Sequence, residues 1–247
     1  MTGSTGELVG RKVVLTGATG GIGRAVAERL ARCGAELVLL GRRGEALREE
    51  AERLGVRALA GDLTDDRFVA GLRVAAGEGG WGPPDVIVHN AGVFALAPFE
   101  ETATSVFDTH LSVNLRVPFL LTRLWLPDML ARGSGHVVTV GSIAGRRAVA
   151  GNAAYSASKF GLRGLHEVLV EELRGTGVRA TWVEPSAVDT PLWDPIEPGG
   201  GMGVPSREEM LTPAAVADAI HFVVTRPPDV SVQEIVIRAN AIERRGS

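Results

Sequence analysis

The sequence predicts one α/β domain over residues 1–247, a parallel seven-stranded sheet with helices on both faces. Three observations carry this. Short apolar runs alternate with helix-length segments along the whole chain, and such βα repetition makes neighbouring strands parallel and covers both faces of the sheet. The first run passes through a glycine-rich turn straight into a segment with helical spacing of apolar residues. The length of 247 residues, 45% of them hydrophobic, suits one large core rather than two.

In chain order, the Val-Val-Leu run at 13–15 is the first strand, residues 17–23 the turn and 24–33 the first helix. Further strands are expected at 36–40, 57–60, 86–89, 136–140, 179–183 and 234–237, each a short apolar or β-branched run. Helical periodicity places helices at 45–54, 66–76, 104–132, 153–174 and 213–225. Residues 190–211 break the alternation, with Pro191, Pro195, Pro198 and Pro205 among Gly199, Gly200, Gly201 and Gly203. About twenty residues without periodicity inside a compact domain read as a lid over a site.

Composition narrows the function. A net charge of −3 supplies no basic field for nucleic acid or an anionic membrane. Cys33 is the only cysteine, so no internal disulfide forms, which fits a reducing cytoplasm. The residue itself, beside Gly34 at a helix end, reads as packing. No basic-then-apolar leader is read at the start, and no apolar run reaches the roughly 18 residues of a membrane span. The expectation is a cytoplasmic protein without nucleic-acid or membrane partners, and no residues are assigned to a metal.

Two local patterns carry chemistry. Gly17-Ala-Thr19-Gly20-Gly21-Ile22-Gly23 opens a helix after a buried strand. Glycines there let the backbone approach a pyrophosphate, which the helix amino terminus attracts. Farther on, Tyr155 and Lys159 are four residues apart on one helix and so share a face. A phenol ionises near ~10, and an adjacent ammonium lowers that value; the pair is expected to be an acid/base centre with a depressed Tyr155 pKa. Ser142, closing the strand before it, is placed to donate to the same carbonyl oxygen that the phenol protonates.

With these motifs in order, the chain resembles the short-chain dehydrogenase/reductase family over essentially its whole length. The resemblance rests on Thr16-Gly17-Ala-Thr-Gly-Gly21-Ile-Gly23, Gly61-Asp62-Leu63, His89-Asn90-Ala91-Gly92, Asn114, Ser142, Tyr155 and Lys159. It implies a Rossmann-type doubly wound fold with Ser142, Tyr155, Lys159 and Asn114 as the catalytic set. It further implies that Asn114 holds a proton-relay water, that Asp62 and Leu63 hold the adenine, and that Asn90, Ala91 and Gly92 line the coenzyme. Val188 and Thr190 would meet the nicotinamide carboxamide, and Lys159 would also hold the nicotinamide ribose. Ser186 departs from the pattern, standing where family members often carry glycine, which puts the floor of the substrate pocket in question. The implied activity is hydride exchange between a ketone or aldehyde and an alcohol, Tyr155 being the acid/base. A dinucleotide-sensing regulator, or a dehydratase or epimerase on the same fold, is the alternative.

Coenzyme choice follows from charge. The second strand ends Gly41-Arg42-Arg43 with no carboxylate to bind ribose hydroxyls. A guanidinium grips phosphate bidentately, so NADP(H) is favoured over NAD(H), with Arg42 on the phosphate and Arg43 on adenine or adding field. Substrate contacts are expected from Val93, Phe94 and Leu96, from Ile143 and Ala144, and from Leu192, Trp193, Ile196 and Met202 in the lid. Trp193 is read either as pocket lining or as a lid clamp, and Arg146 and Arg147 as surface or subunit contacts or as ligands for a carboxylate. Apolar excess on helices 104–132 and 153–174, including Val117, Phe119, Leu121, Leu124, Trp125, Phe160, Leu165, Val168 and Leu169, points to a homotetramer or homodimer, since related reductases pair these helices.

Overall fold

The computed structural model describes residues 6–196 and 204–240. The strands are β1 (Lys12–Thr16), β2 (Glu36–Gly41), β3 (Arg57–Ala60), β4 (Val86–His89), β5 (Gly135–Val140), β6 (Val178–Pro185) and β7 (Glu234–Ile237). All pair in parallel in one sheet of order β3-β2-β1-β4-β5-β6-β7. The order reverses between β1 and β4, and ligands of doubly wound sheets bind in the crevice beyond the strand carboxyl ends at such a switch.

Helices α1 (Gly21–Arg32), α2 (Gly44–Leu54) and α7 (Pro213–Val224) cover one face, and α3 (Asp66–Gly77), α5 (Val117–Arg132) and α6 (Ala153–Glu172) the other. The pleat sorts the core between them: Val13 and Leu15 of β1 pack with Val26, Leu30 and Ile220, whereas Val14 packs with Leu72, Leu121 and Trp125. Among the described residues no helix is long and apolar enough to cross a membrane.

Two expected elements differ. The first helix starts at Gly21, three residues early, because the glycine turn already carries helical backbone. The span 104–132 is not one uniform helix. It comprises α4 (Thr104–His110), a π-helical turn at Leu111–Arg116 and α5. Pro118 has no N–H for the Asn114 carbonyl four residues back, and the wider turn falls at that point. In the segment expected to be a lid, short 3-10 turns form at Pro191–Ile196 and Arg207–Glu209. Met202, Pro198 and the glycines from 199 to 203 lie outside the described residues.

Buried histidines lead us to expect an acid-sensitive fold. Burial lowers His89 and His136 from 6.5 to about 3 and His166 from 6.5 to about 4. The unfolded chain therefore binds more protons than the native one between those limits, and stability is lost as pH falls through that window. We expect the melting temperature to decline steadily from pH 7 to about 5. A flat calorimetric profile there would mean that these rings are hydrated. Cys33 is buried, its thiol pushed up by desolvation. It lies within 4.8 Å of Glu7 and His221. His221 there faces the Glu7 carboxylate at 2.8 Å and the Arg29 guanidinium at 3.4 Å.

Candidate active site

The crevice at the switch point is a cavity of about 830 Å3 walled by the ends of β1, β2, β4, β5 and β6. The glycine turn forms one end. Gly17 has φ +71°, and a Cβ there would lie 2.8 Å from the Ala91 backbone; at Gly23 it would lie 2.1 Å from the Gly17 carbonyl oxygen. Glycine is required at both. Thr16 locks the turn to the next segment, its Oγ1 donating to Val88 O and accepting from the backbone N–H groups of Asn90 and Ala91 at 3.0 and 2.9 Å. Asn90 Nδ2 donates to Thr16 O. The first turn of α1 carries no acidic residue and its cap, Gly20, no side chain, so free amides face the cavity, as an anionic pyrophosphate requires.

Thr19, Gly20, Gly21, Ile22, Arg42, Arg43, Asp62, Leu63 and Gly92 all line this cavity. Arg42 and Arg43 are exposed at the end of β2. Asp62 Oδ1 accepts from Thr64 N and Oγ1 at 2.9 and 2.8 Å, and these bonds hold its carboxyl below the usual carboxylate range.

Ser142, Tyr155 and Lys159 line the other end. Ser142 leaves β5 and accepts from Ala144 N through its Oγ at 3.1 Å. The Tyr155 ring stacks edge-on against Phe94 at 4.8 Å, and His110 lies 6.3 Å away. Phe94 in turn meets Trp193 edge-on at 4.9 Å, so an aromatic wall runs from the phenol to the lid. Trp193 is both lining and clamp, its Nε1 donating to Val188 O at 3.0 Å. Arg207 ties Asp189 to Asp194 below it.

The expected sign of the Tyr155 shift is corrected. Lys159 Nζ lies 5.6 Å from the Tyr155 ring centre and donates to Val140 O at 3.1 Å. Desolvation lowers Lys159 from 10.5 to about 8. Burial raises the phenol above its ordinary 10.0, and the neighbouring Ser142 hydroxyl pulls the other way. Desolvation outweighs the ammonium, whose Nζ is drawn to Val140 O.

Asn114 does not face the cavity with its side chain. Fully buried, it bonds Val93 N, Val93 O and Ser158 Oγ at 2.8, 3.0 and 3.0 Å. Val188, Thr190, Val93, Phe94, Leu96, Ile143, Ala144 and Leu192 line the cavity. Thr190 also packs where a Cβ on Gly21 would stand. His89, buried beside Thr122, turns away from it. Arg146 pairs with Glu184 and Glu234 instead of entering the pocket, and neither it nor exposed Arg147 lines the cavity. Ser186 ties down the segment after β7 in a way the sequence did not signal: its N donates to Ile237 O at 2.8 Å and its Oγ accepts from Ala239 N at 3.3 Å.

Free amides at one end of the crevice and a hydroxyl pair at the other define an NAD(P)-dependent oxidoreductase as the class. A family model described as short chain dehydrogenase matches residues 11–199, and the chain belongs to that family. It is 38% identical over 240 residues to the glycine betaine reductase ATRR of Emericella nidulans, covering 94% of this chain but 19% of that much longer protein. An uncharacterized oxidoreductase of Staphylococcus epidermidis is 31% identical, with 91% of this chain and 95% of that one covered. Among solved structures, a metagenomic short-chain oxidoreductase in complex with NADP matches with TM-score 0.79 at 32% identity, covering 95% of this chain and all of that one. The closed form of a serine dehydrogenase complexed with NADP+ matches at 0.83 and 26% identity, over 96% and 98% of the two chains.

Proposed function

We propose that this protein interconverts a ketone or aldehyde and an alcohol with NADP(H). The observation that carries the reading is that Ser142, Tyr155 and Lys159 line the same cavity as the glycine cradle. When bound, the coenzyme supplies hydride transfer at the substrate carbonyl carbon. Ser142 orients the carbonyl oxygen by donating to it. Tyr155 gives its proton to that oxygen in reduction and takes it back in oxidation. Lys159, positioned under the ring, holds the ribose next to the nicotinamide and favours the phenolate as it forms. Asn114 anchors a relay water through its backbone carbonyl, which Pro118 cannot serve, because its side-chain amide is occupied.

Gly17 to Gly23 and Asn90 to Gly92 hold the coenzyme's diphosphate side, Asp62 and Leu63 its adenine, and Val188 and Thr190 its carboxamide. Arg42 and Arg43 favour NADP(H), as do the NADP complexes among similar structures. The wall of Val93, Phe94, Ile143 and Trp193 suits a medium-sized substrate with an apolar or aryl group, and residues 190–211 act as its lid. The test is to incubate the protein with NADPH or NADH and a panel of ketones, aldehydes and hydroxy acids, following nicotinamide absorbance. Consumption with NADPH supports the reading; absence of turnover across the panel with both coenzymes refutes it.

The protein is further proposed to act in the cytoplasm as a homodimer or homotetramer through α5 and α6. Phe119, Leu130, Phe160 and Val168 are 46%, 42%, 45% and 55% exposed along these helices, flanking an apolar groove of about 290 Å3. Val117, Leu121 and Trp125, by contrast, face the sheet. Light scattering should give at least twice the 25.9 kDa chain mass; a monomer at micromolar concentration would exclude this surface.

A further inference from the structure

We propose that Glu184 is a positioning residue that braces the Ser142 turn against the helix carrying Tyr155 and Lys159. The proposal rests on the reading of Ser142 and Tyr155 as the reacting pair. Glu184, near the end of β6, has no exposed side-chain surface. A carboxylate so placed is costly unless every lone pair is served, and four donors serve it. Its Oε2 accepts from Arg146 Nε at 3.1 Å, Arg163 Nη1 at 3.2 Å and Trp182 Nε1 at 3.3 Å. Its Oε1 accepts from Arg238 Nη2 at 3.1 Å.

These donors reach the site from both sides of Ser142. On one flank, the Trp182 ring presses on Gly141, where an added Cβ would lie 2.0 Å from it. On the other, Arg146 follows the turn Ile143–Gly145 that Ser142 caps. Gly145 packs in turn on the Lys159 backbone, at 2.8 Å from an added Cβ to the carbonyl oxygen. Arg163 sits one turn beyond Lys159 on α6, and Arg238 lines the coenzyme cavity. Glu234, partly exposed, links Arg146 and Arg163 at the rim. One buried carboxylate thus joins β6, the Ser142 turn, α6 and the segment after β7.

Tyr155 is the only tyrosine, so its phenolate absorbance reports the Ser142 contact without background. In Glu184→Gln we expect kcat to fall roughly tenfold or more, as misplacement of a reacting group does. The Kd for NADPH should change by less than kcat, because the glycine cradle, unlike Lys159 and Arg238, is not tied to the brace. The Tyr155 titration midpoint should move upward, because the Ser142 hydroxyl that lowers it is displaced from the phenol. Arg146→Met should shift both readouts in the same direction but less, and decides the matter if Glu184→Gln does not fold. Arg53→Met, which strips a partner from the nearly buried Glu50 on α2, should cost stability without moving either readout. A folded Glu184→Gln or Arg146→Met protein with wild-type kcat, or with an unmoved tyrosine titration, overturns the proposal. Were the wild type to reduce no carbonyl, the proposed function would fail, while the tyrosine titration would still decide the brace.

Discussion

Tyr155→Phe is expected to reduce turnover by two or more decades, the scale of general acid/base catalysis, while leaving NADPH binding intact. The change removes only the hydroxyl, and the edge-on contact with Phe94 at 4.8 Å is made by the ring. A Tyr155→Phe protein with full turnover on its best substrate would remove this residue from the mechanism. Lys159→Met should lower both turnover and coenzyme affinity, and Ser142→Ala mainly turnover. The pH dependence follows from the direction of the phenol's shift. Burial holds the Tyr155 proton above the ordinary 10.0, so reduction, which uses the protonated form, should stay active across neutral pH. Oxidation needs the phenolate and should strengthen toward alkaline pH. Absorbance titration of the sole tyrosine in the coenzyme-free protein should give a midpoint above ~10; one well below it would restore the Lys159-depressed value inferred from spacing.

Arg42→Ala should weaken NADP binding by about 2 kcal/mol, roughly thirtyfold in Kd, through the loss of charge-assisted hydrogen bonds to a dianionic phosphate. NAD binding should hardly change, because NAD carries an uncharged hydroxyl at that position instead of the phosphate. Titration of both coenzymes against both proteins checks this, and an equal loss for the two would exclude Arg42 as the phosphate ligand. Arg43 is expected to contribute less. Its backbone caps α2, Leu47 N donating to its carbonyl at 2.8 Å, and that role survives loss of the side chain.

Much of the architecture was legible because it is encoded locally. Each strand is a short apolar run between turn residues, so all seven were placed, β6 extending past the expected end to Pro185. The glycine turn and the Tyr155/Lys159 spacing are equally local, since a strand-turn-helix and one helical turn fix who neighbours whom. The π turn at Leu111–Arg116 leaves no mark in the periodicity, and Pro118 is its one local signal. Periodicity sees the apolar face continue, not one carbonyl losing its donor.

By itself, then, the sequence determined the α/β class, the place of the glycine turn between a strand and a helix, and the positions of Ser142 at a strand end and of Tyr155 and Lys159 on one helix face, all consequences of backbone preference and short-range periodicity; the roles proposed for these residues rest on the family resemblance. Tertiary structure alone decided the rest. Glu184 collects donors from positions 146, 163, 182 and 238, and no spacing rule relates residues that meet only across strands and crossovers. Tertiary structure also reversed the Tyr155 shift. Sequence shows that an ammonium is near, but the balance between its field and lost hydration depends on how far the Nζ is drawn toward Val140 and how much of the half-buried phenol keeps its water.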